Sequence, residues 1–281
     1  MELDADIPPR QGQRCAGGPA GLNPSERPPP MAPTKTRAVV LKVLPYRESS
    51  YILHLFTESH GMVHGVARGM RTARGQRFLE RGFLTELLLY VKAHRDLHTL
   101  GSIQVLQFWP ATRAALVRSA VRDVAFELVL ASIRVTDPHP ELFAFFEDLL
   151  GDIETRPERA VYPFVLWRFY LQYAAMMGFG LDLERCVQCG TDTAGRVAYV
   201  NTTRGGVECD RCARTRAPSN RIEPDTGRLL AGKTGMEGAR GRLSGEDAQR
   251  ITGLLAGHCR YHFDIRAESK ALEFLAGVVG E

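Results

Sequence analysis

Two cysteine pairs constrain this chain more than any other feature. Two residues lie between Cys186 and Cys189 and two between Cys209 and Cys212, and nineteen residues separate the pairs. A CxxC turn presents two thiolates from one tight loop, and two such turns close a tetrahedral shell. The spacing is that of a zinc ribbon or knuckle, with one structural Zn2+ and no open position for water. Gly190 directly after the first pair suits the turn. The alternatives are two disulfides, four unrelated thiols, or a redox CxxC, which would not need a second pair. Cys15 and Cys259 stand outside the pattern and read as a tail residue and a packing residue.

The expected compartment argues against disulfides. Glu2, Asp4 and Asp6 make the first residues acidic, and no apolar stretch follows, so no secretory signal is expected. No run of about 18 apolar residues suggests a membrane span. The chain therefore reads as cytoplasmic, with reduced thiols and no membrane partner. Residues 1–33 are rich in proline and glycine and poor in large apolar residues, so a disordered tail is expected. Met31, just before the first strand pattern, is an alternative start position.

Residues 34–112 carry five short runs of β character: 36–44 (ending at Pro45), 51–57, 61–67, 83–92 and 98–107. Five short strands with close turns suggest a sheet closed on itself, because closure removes exposed edges. A Greek-key barrel of the oligonucleotide-binding (OB) type fits, and an SH3-like barrel fits nearly as well. Helical spacing then takes over. One helix is expected over 111–135, a second over 141–153 and a long apolar third over 158–177. Ser244, with Asp247 three residues on, opens a helix over 245–261, and a short last helix covers 268–278. The fold class is α+β and multidomain: an OB-type barrel over 34–112, a helical domain over 113–184 and 243–281, and a zinc module inserted at 185–216. Residues 217–242 are expected to be irregular and Gly/Arg-rich.

Positive charge is concentrated in the barrel. Residues 34–112 hold eleven Lys/Arg against five Asp/Glu, a surplus of six where the whole chain carries +4. Arg68, Arg71, Arg74, Arg77 and Arg81 form a run broken by Gly69, Gly75 and Gly82, which reads as a basic loop between the third and fourth strands. Guanidinium bonds phosphate bidentately, so these arginines, with Lys35 and Arg37, are the candidate nucleic-acid contacts. A solvated surface loop is the alternative. Phe78 sits among the arginines and is a candidate for base stacking, whereas Tyr46, Tyr51, Phe56 and Phe83 read as core. His54, His60, His64, His94 and His98 are scattered and read as surface or packing residues. Ala231-Gly232-Lys233-Thr234 has the ending of a phosphate-binding loop but lacks the strand that should precede one. No catalytic constellation emerges.

Three stretches, taken together, resemble the RecO family of DNA recombination and repair mediators. The first is 36–57, with Val40-Leu41-Lys42-Val43-Leu44-Pro45-Tyr46-Arg47-Glu48-Ser49-Ser50. The second is Arg68-Gly69-Met70-Arg71 followed by Leu84, Glu86 and Leu87. The third is the two cysteine pairs followed by Tyr261, His262, Ile265, Arg266 and Ser269. Coverage is about residues 34–278. The resemblance implies a protein that is not an enzyme. It would bind single- and double-stranded DNA, anneal complementary strands and help load RecA onto DNA coated by single-strand-binding protein (SSB). The implied partners are RecR, the SSB C-terminal tail and RecF. Arg118 and Arg122, one turn apart on the first helix, are candidate contacts for the SSB tail, with a solvated helix face as the alternative. Two other classes remain open on the residues alone: an RNA-binding, ribosome-associated factor and a protein-interaction scaffold.

Overall fold

Apolar and β-branched runs build the N-terminal sheet, seen here in a computed structural model that describes residues 32–70, 79–92, 95–133, 138–214, 220–232 and 243–280. The strands are β1 (Thr34–Tyr46), β2 (Ser50–Thr57), β3 (Gly61–Ala67), β4 (Leu84–Tyr90) and β5 (Leu97–Gln107), closed into a barrel in the order β1-β2-β3-β5-β4. β3 and β5 run parallel and the other neighbours antiparallel. This five-stranded closed barrel fits the OB type. Ala38, Val40, Leu53, Leu55, Val63, Leu87, Leu89 and Leu100 fill its interior. At Gly65 a Cβ would lie 2.5 Å from the Leu100 side chain, so a larger residue there would displace Leu100 from the barrel interior. β1 does not end at Pro45 as expected. It runs on to Tyr46, where Pro45 pairs with Tyr51.

The alternate residues of the same strands face outward. Val39, Leu41, Phe56, Met62 and Leu84 are buried in a second core shared with the helices. The expected helix over 111–135 is two helices, α1 (Pro110–Ala114) and α2 (Leu116–Ser132), because Ala115 is extended at φ −116, ψ 129. α3 spans Pro140–Thr155. The expected long helix over 158–177 is also broken. α4 (Glu158–Ala160) leads into a π-helical stretch, Val161–Val165, where Tyr162 before Pro163 is extended, and α5 (Leu166–Met176) follows. α7 (Gly245–His262) starts as expected, with the Ser244 side chain accepting the Asp247 N–H, and α8 (Lys270–Gly280) packs on α2.

A four-stranded sheet ordered β6-β8-β7-β9 carries the cysteines: β6 (Asp182–Cys186), β7 (Ala198–Asn201), β8 (Gly206–Cys209) and β9 (Arg221–Ile222). The expectation of an irregular segment over 217–242 is corrected here. Arg221 and Ile222 pair with β7, and α6 (Pro224–Leu230) follows. Ala198, Val200, Val207 and Ile222 from this sheet lie in the same core as the helices. The remaining residues of 217–242, 217–219 and 233–242, lie outside the described residues, as do nearly all of the expected tail and Cys15.

Arg37 joins barrel to helices. Its guanidinium donates to both carboxylate oxygens of Glu147 on α3, at 3.2 and 2.9 Å, and to both of Glu58, at 3.1 and 2.9 Å. It also lies 5.3 Å from the centre of the Phe143 ring. Arg37→Ala should therefore cost about 1 kcal/mol and a few degrees of melting temperature. The salt dependence of any nucleic-acid binding should stay unchanged. A melt beside a binding titration checks both.

Candidate metal centre and nucleic-acid face

Parallel pairing of β6 with β8 brings Cys186 and Cys209, the last residues of those strands, to one edge of the sheet. Each begins a tight turn. The Gly190 N–H donates to the Cys186 carbonyl at 2.8 Å with Gly190 at φ 72, and the Cys212 N–H donates to the Cys209 carbonyl at 3.0 Å. The four sulfurs of Cys186, Cys189, Cys209 and Cys212 lie within 4.8 Å of one another, and those of Cys189 and Cys209 are 3.8 Å apart. A tetrahedron with metal–sulfur bonds of about 2.3 Å requires sulfurs about 3.8 Å apart, so the cluster has the size of a metal cage.

The thiol chemistry fits a cation as well. Burial opposes ionisation of Cys186, but the amides of Cys209, Cys189 and Gln188 outweigh it and hold the thiol below its usual range. Thr191, through its hydroxyl and then its amide, holds Cys189 down to about 5. Cys212 beside it is pushed up to about 12, with the Cys189 sulfur as the first cause. Four thiols this close cannot all ionise against one another, whereas a central divalent cation makes four thiolates compatible. Cys259 is separate: buried on α7, its thiol is pushed up to about 12 by desolvation, as a packing residue's should be.

The expected basic contacts divide. Lys35 is largely exposed and pairs with Glu86 at 2.8 Å. Arg37 is taken up by Glu58 and Glu147. Arg81 donates to the Leu41 carbonyl at 3.1 Å and pairs with Asp123 at 3.2 Å. It serves the seam between barrel and helices. Arg68 is exposed at the end of β3. Arg71, Arg74, Arg77, Phe78 and His94 lie outside the described residues. Arg118 caps the end of α3, donating to the carbonyls of Ile153, Glu154 and Arg156. Arg122 pairs with Asp123 at 2.8 Å and lies over the Phe126 ring. Both of the residues expected to meet an acidic tail are thus engaged within the helical region.

The closed barrel assembles a different basic surface. A groove runs between the β1–β2 turn and the β4–β5 connection, lined by Arg47, Arg68, Lys92 and Arg95 and, among the described residues, one acid, Asp96. Arg47 sits in the left-handed region at φ 52, and its guanidinium lies 5.2 Å from the Tyr46 ring centre. The floor is Val66, Leu97 and Thr99 on the outward faces of β3 and β5. Beside it, His54 and His64 stand opposite each other on β2 and β3, with ring centres 4.1 Å apart. The two histidines, expected as scattered surface or packing residues, are half-buried and form a pair. Arg47, Lys92 and Arg95 had no sequence signal of their own. Only the parallel β3–β5 pairing places the two loops on one face.

Comparison with known proteins agrees in both halves of the chain. The family described as "Recombination protein O N terminal" matches residues 31–109, and "Recombination protein O C terminal" matches residues 113–271. A protein of Anaeromyxobacter sp. (strain Fw109-5) named DNA repair protein RecO is 34% identical over 191 residues, covering 66% of this chain and 72% of that relative. A namesake from Prosthecochloris aestuarii is 32% identical over 158 residues, and the aligned stretch spans 56% of this chain and 59% of that relative. One from Chlorobium luteolum is 26% identical over 264 residues, covering 88% of this chain and 99% of that relative.

Proposed function

This chain belongs to the RecO family, and on that premise we propose that it binds single- and double-stranded DNA, anneals complementary strands and helps load RecA onto SSB-coated DNA. It does so without making or breaking covalent bonds, in the cytoplasm, beside RecR, SSB and RecF. The observation that carries this reading is the groove of Arg47, Arg68, Lys92 and Arg95, with Asp96 the single lining acid among the described residues. In OB barrels the face of strands two and three, between the first and fourth loops, is where oligonucleotides lie. Four cations there hold phosphate by charge and read no base, which is what annealing of arbitrary sequences needs. Arg71, Arg74 and Arg77 add to this charge from the sequence between β3 and β4. The four-cysteine cluster holds one Zn2+ that orders the β6–β9 sheet and takes no part in the DNA chemistry.

Two labelled complementary oligonucleotides, mixed with and without the protein, test the reading. Annealing should be accelerated at low salt and the acceleration lost at high salt. No acceleration, with weak and salt-insensitive binding by fluorescence anisotropy, would replace DNA mediation with a protein-scaffold role. Equal competition by RNA would assign the face to RNA.

A further inference from the structure

The outward face of β2 and β3 has three levels. Phe56 and Met62, paired with each other, lie under the helices. Ile52 and Val66, also paired, sit beside the cationic groove, which Val66 lines. Between them are His54 and His64, alternating with the interior residues Leu53, Leu55 and Val63 and therefore pointing out of the barrel. Their rings are 4.1 Å apart and tilted by 40°, and both side chains are half-buried. Neither ring makes a hydrogen bond among the described residues. A pair of imidazoles with no hydrogen-bond partner among the described residues stands at the edge of the cationic groove.

We propose that the His54–His64 pair is a nucleobase platform, on which an unpaired base of a bound single strand stacks while its phosphates run along Arg47, Arg68, Lys92 and Arg95. This rests on the DNA-binding reading above and adds the part of the ligand that reading leaves unassigned. Histidine rings stack on unpaired bases as other aromatic side chains do. Stacking uses the flat face of a base and leaves its pairing edge turned away from the protein. A strand held this way can still meet its complement. A duplex offers no free base face here, so the pair distinguishes single from double strands.

The platform is uncharged near neutral pH. Burial, then the His64 ring, then the Lys42 ammonium across on β1 hold His54 down to about 4. Burial also lowers His64, against the opposing carboxylate of Asp96. Its contribution to binding should therefore release no counterions, and that separates it from the arginines.

The test is anisotropy on the full chain with three probes of equal length: single-stranded DNA, duplex, and an abasic deoxyribose-phosphate strand. The double variant His54→Ala/His64→Ala should bind single-stranded DNA about tenfold more weakly with an unchanged salt slope. Duplex and abasic strand should bind as to wild type. His54→Phe/His64→Phe should restore the affinity, and 2-aminopurine in the strand should be quenched by wild type and the Phe variant. Unchanged affinity of the Ala variant would overturn the platform, as would an equal loss on the abasic strand. A reduced salt slope would also overturn it, by making the histidines phosphate contacts. If the Ala variant does not fold, weakened binding by a folded Phe variant overturns it instead. Absence of single-strand binding by wild type would be a failure of the DNA reading, and is distinguishable from all of these.

Discussion

Replacing Cys186 by serine, or stripping the metal with a strong chelator, is expected to lower the melting temperature by more than about 10 °C. The size of the effect follows from what the cluster supports. β6 to β9 are short strands, of five, four, four and two residues. A sheet this small cannot order itself without a staple. Yet it supplies Ala198, Val200, Val207 and Ile222 to the core that also holds α5 and α7. Releasing the four sulfurs frees the sheet and uncovers those helices, so the loss reaches well beyond the turn. Cys186 is buried and Cys189 exposed, so Cys186→Ser should cost more than Cys189→Ser. Zinc release on a colorimetric chelator should coincide with the thermal transition and with dye binding to apolar surface. A serine variant that keeps its melting temperature and its metal would show that the four sulfurs are not a structural site.

The barrel and this cluster were legible in the sequence for the same reason: their signals are local. A short run of β character between turns matches β3 over its full extent, 61–67, and CxxC spacing is a statement about one turn. Helix interruptions were not legible. Apolar spacing runs straight through Ala115 and Tyr162; nothing marks the first break, and at the second the apolar period masks the signal of Pro163. β9 and α6 were hidden by the glycines and arginines around them. Charge was legible as an amount but not as an address. Arg37 finds Glu147 at a separation of 110 residues and Arg81 finds Asp123 at 42. Arg118 finds carbonyls on α3. Such partners exist only after the helices dock on the barrel. The groove shows the converse: Arg47 and Arg95 belong to loops on different strand pairs, and closure alone makes them neighbours.

That distinction between cations of the seam and cations of the groove yields the second large effect. Neutralising the groove with Arg47→Gln, Arg68→Gln, Lys92→Gln and Arg95→Gln together should weaken binding of single-stranded DNA by roughly a hundredfold or more at low salt. The slope of log affinity against log salt should fall by about 3, since each phosphate contact on a single strand contributes about 0.7. The seam cations provide the control. Arg37→Gln and Arg81→Gln remove the same kind of charge from the same region, but those guanidinium groups already face Glu58, Glu147 and Asp123. They should leave the slope within error and lower the melting temperature instead. If the groove variant keeps the wild-type slope while neutralising Arg71, Arg74 and Arg77 reduces it, phosphate is held by the β3–β4 connection and the groove is not the binding face. If both sets reduce it, the strand passes from groove to connection, and the two losses in slope should add because each phosphate releases its counterions independently.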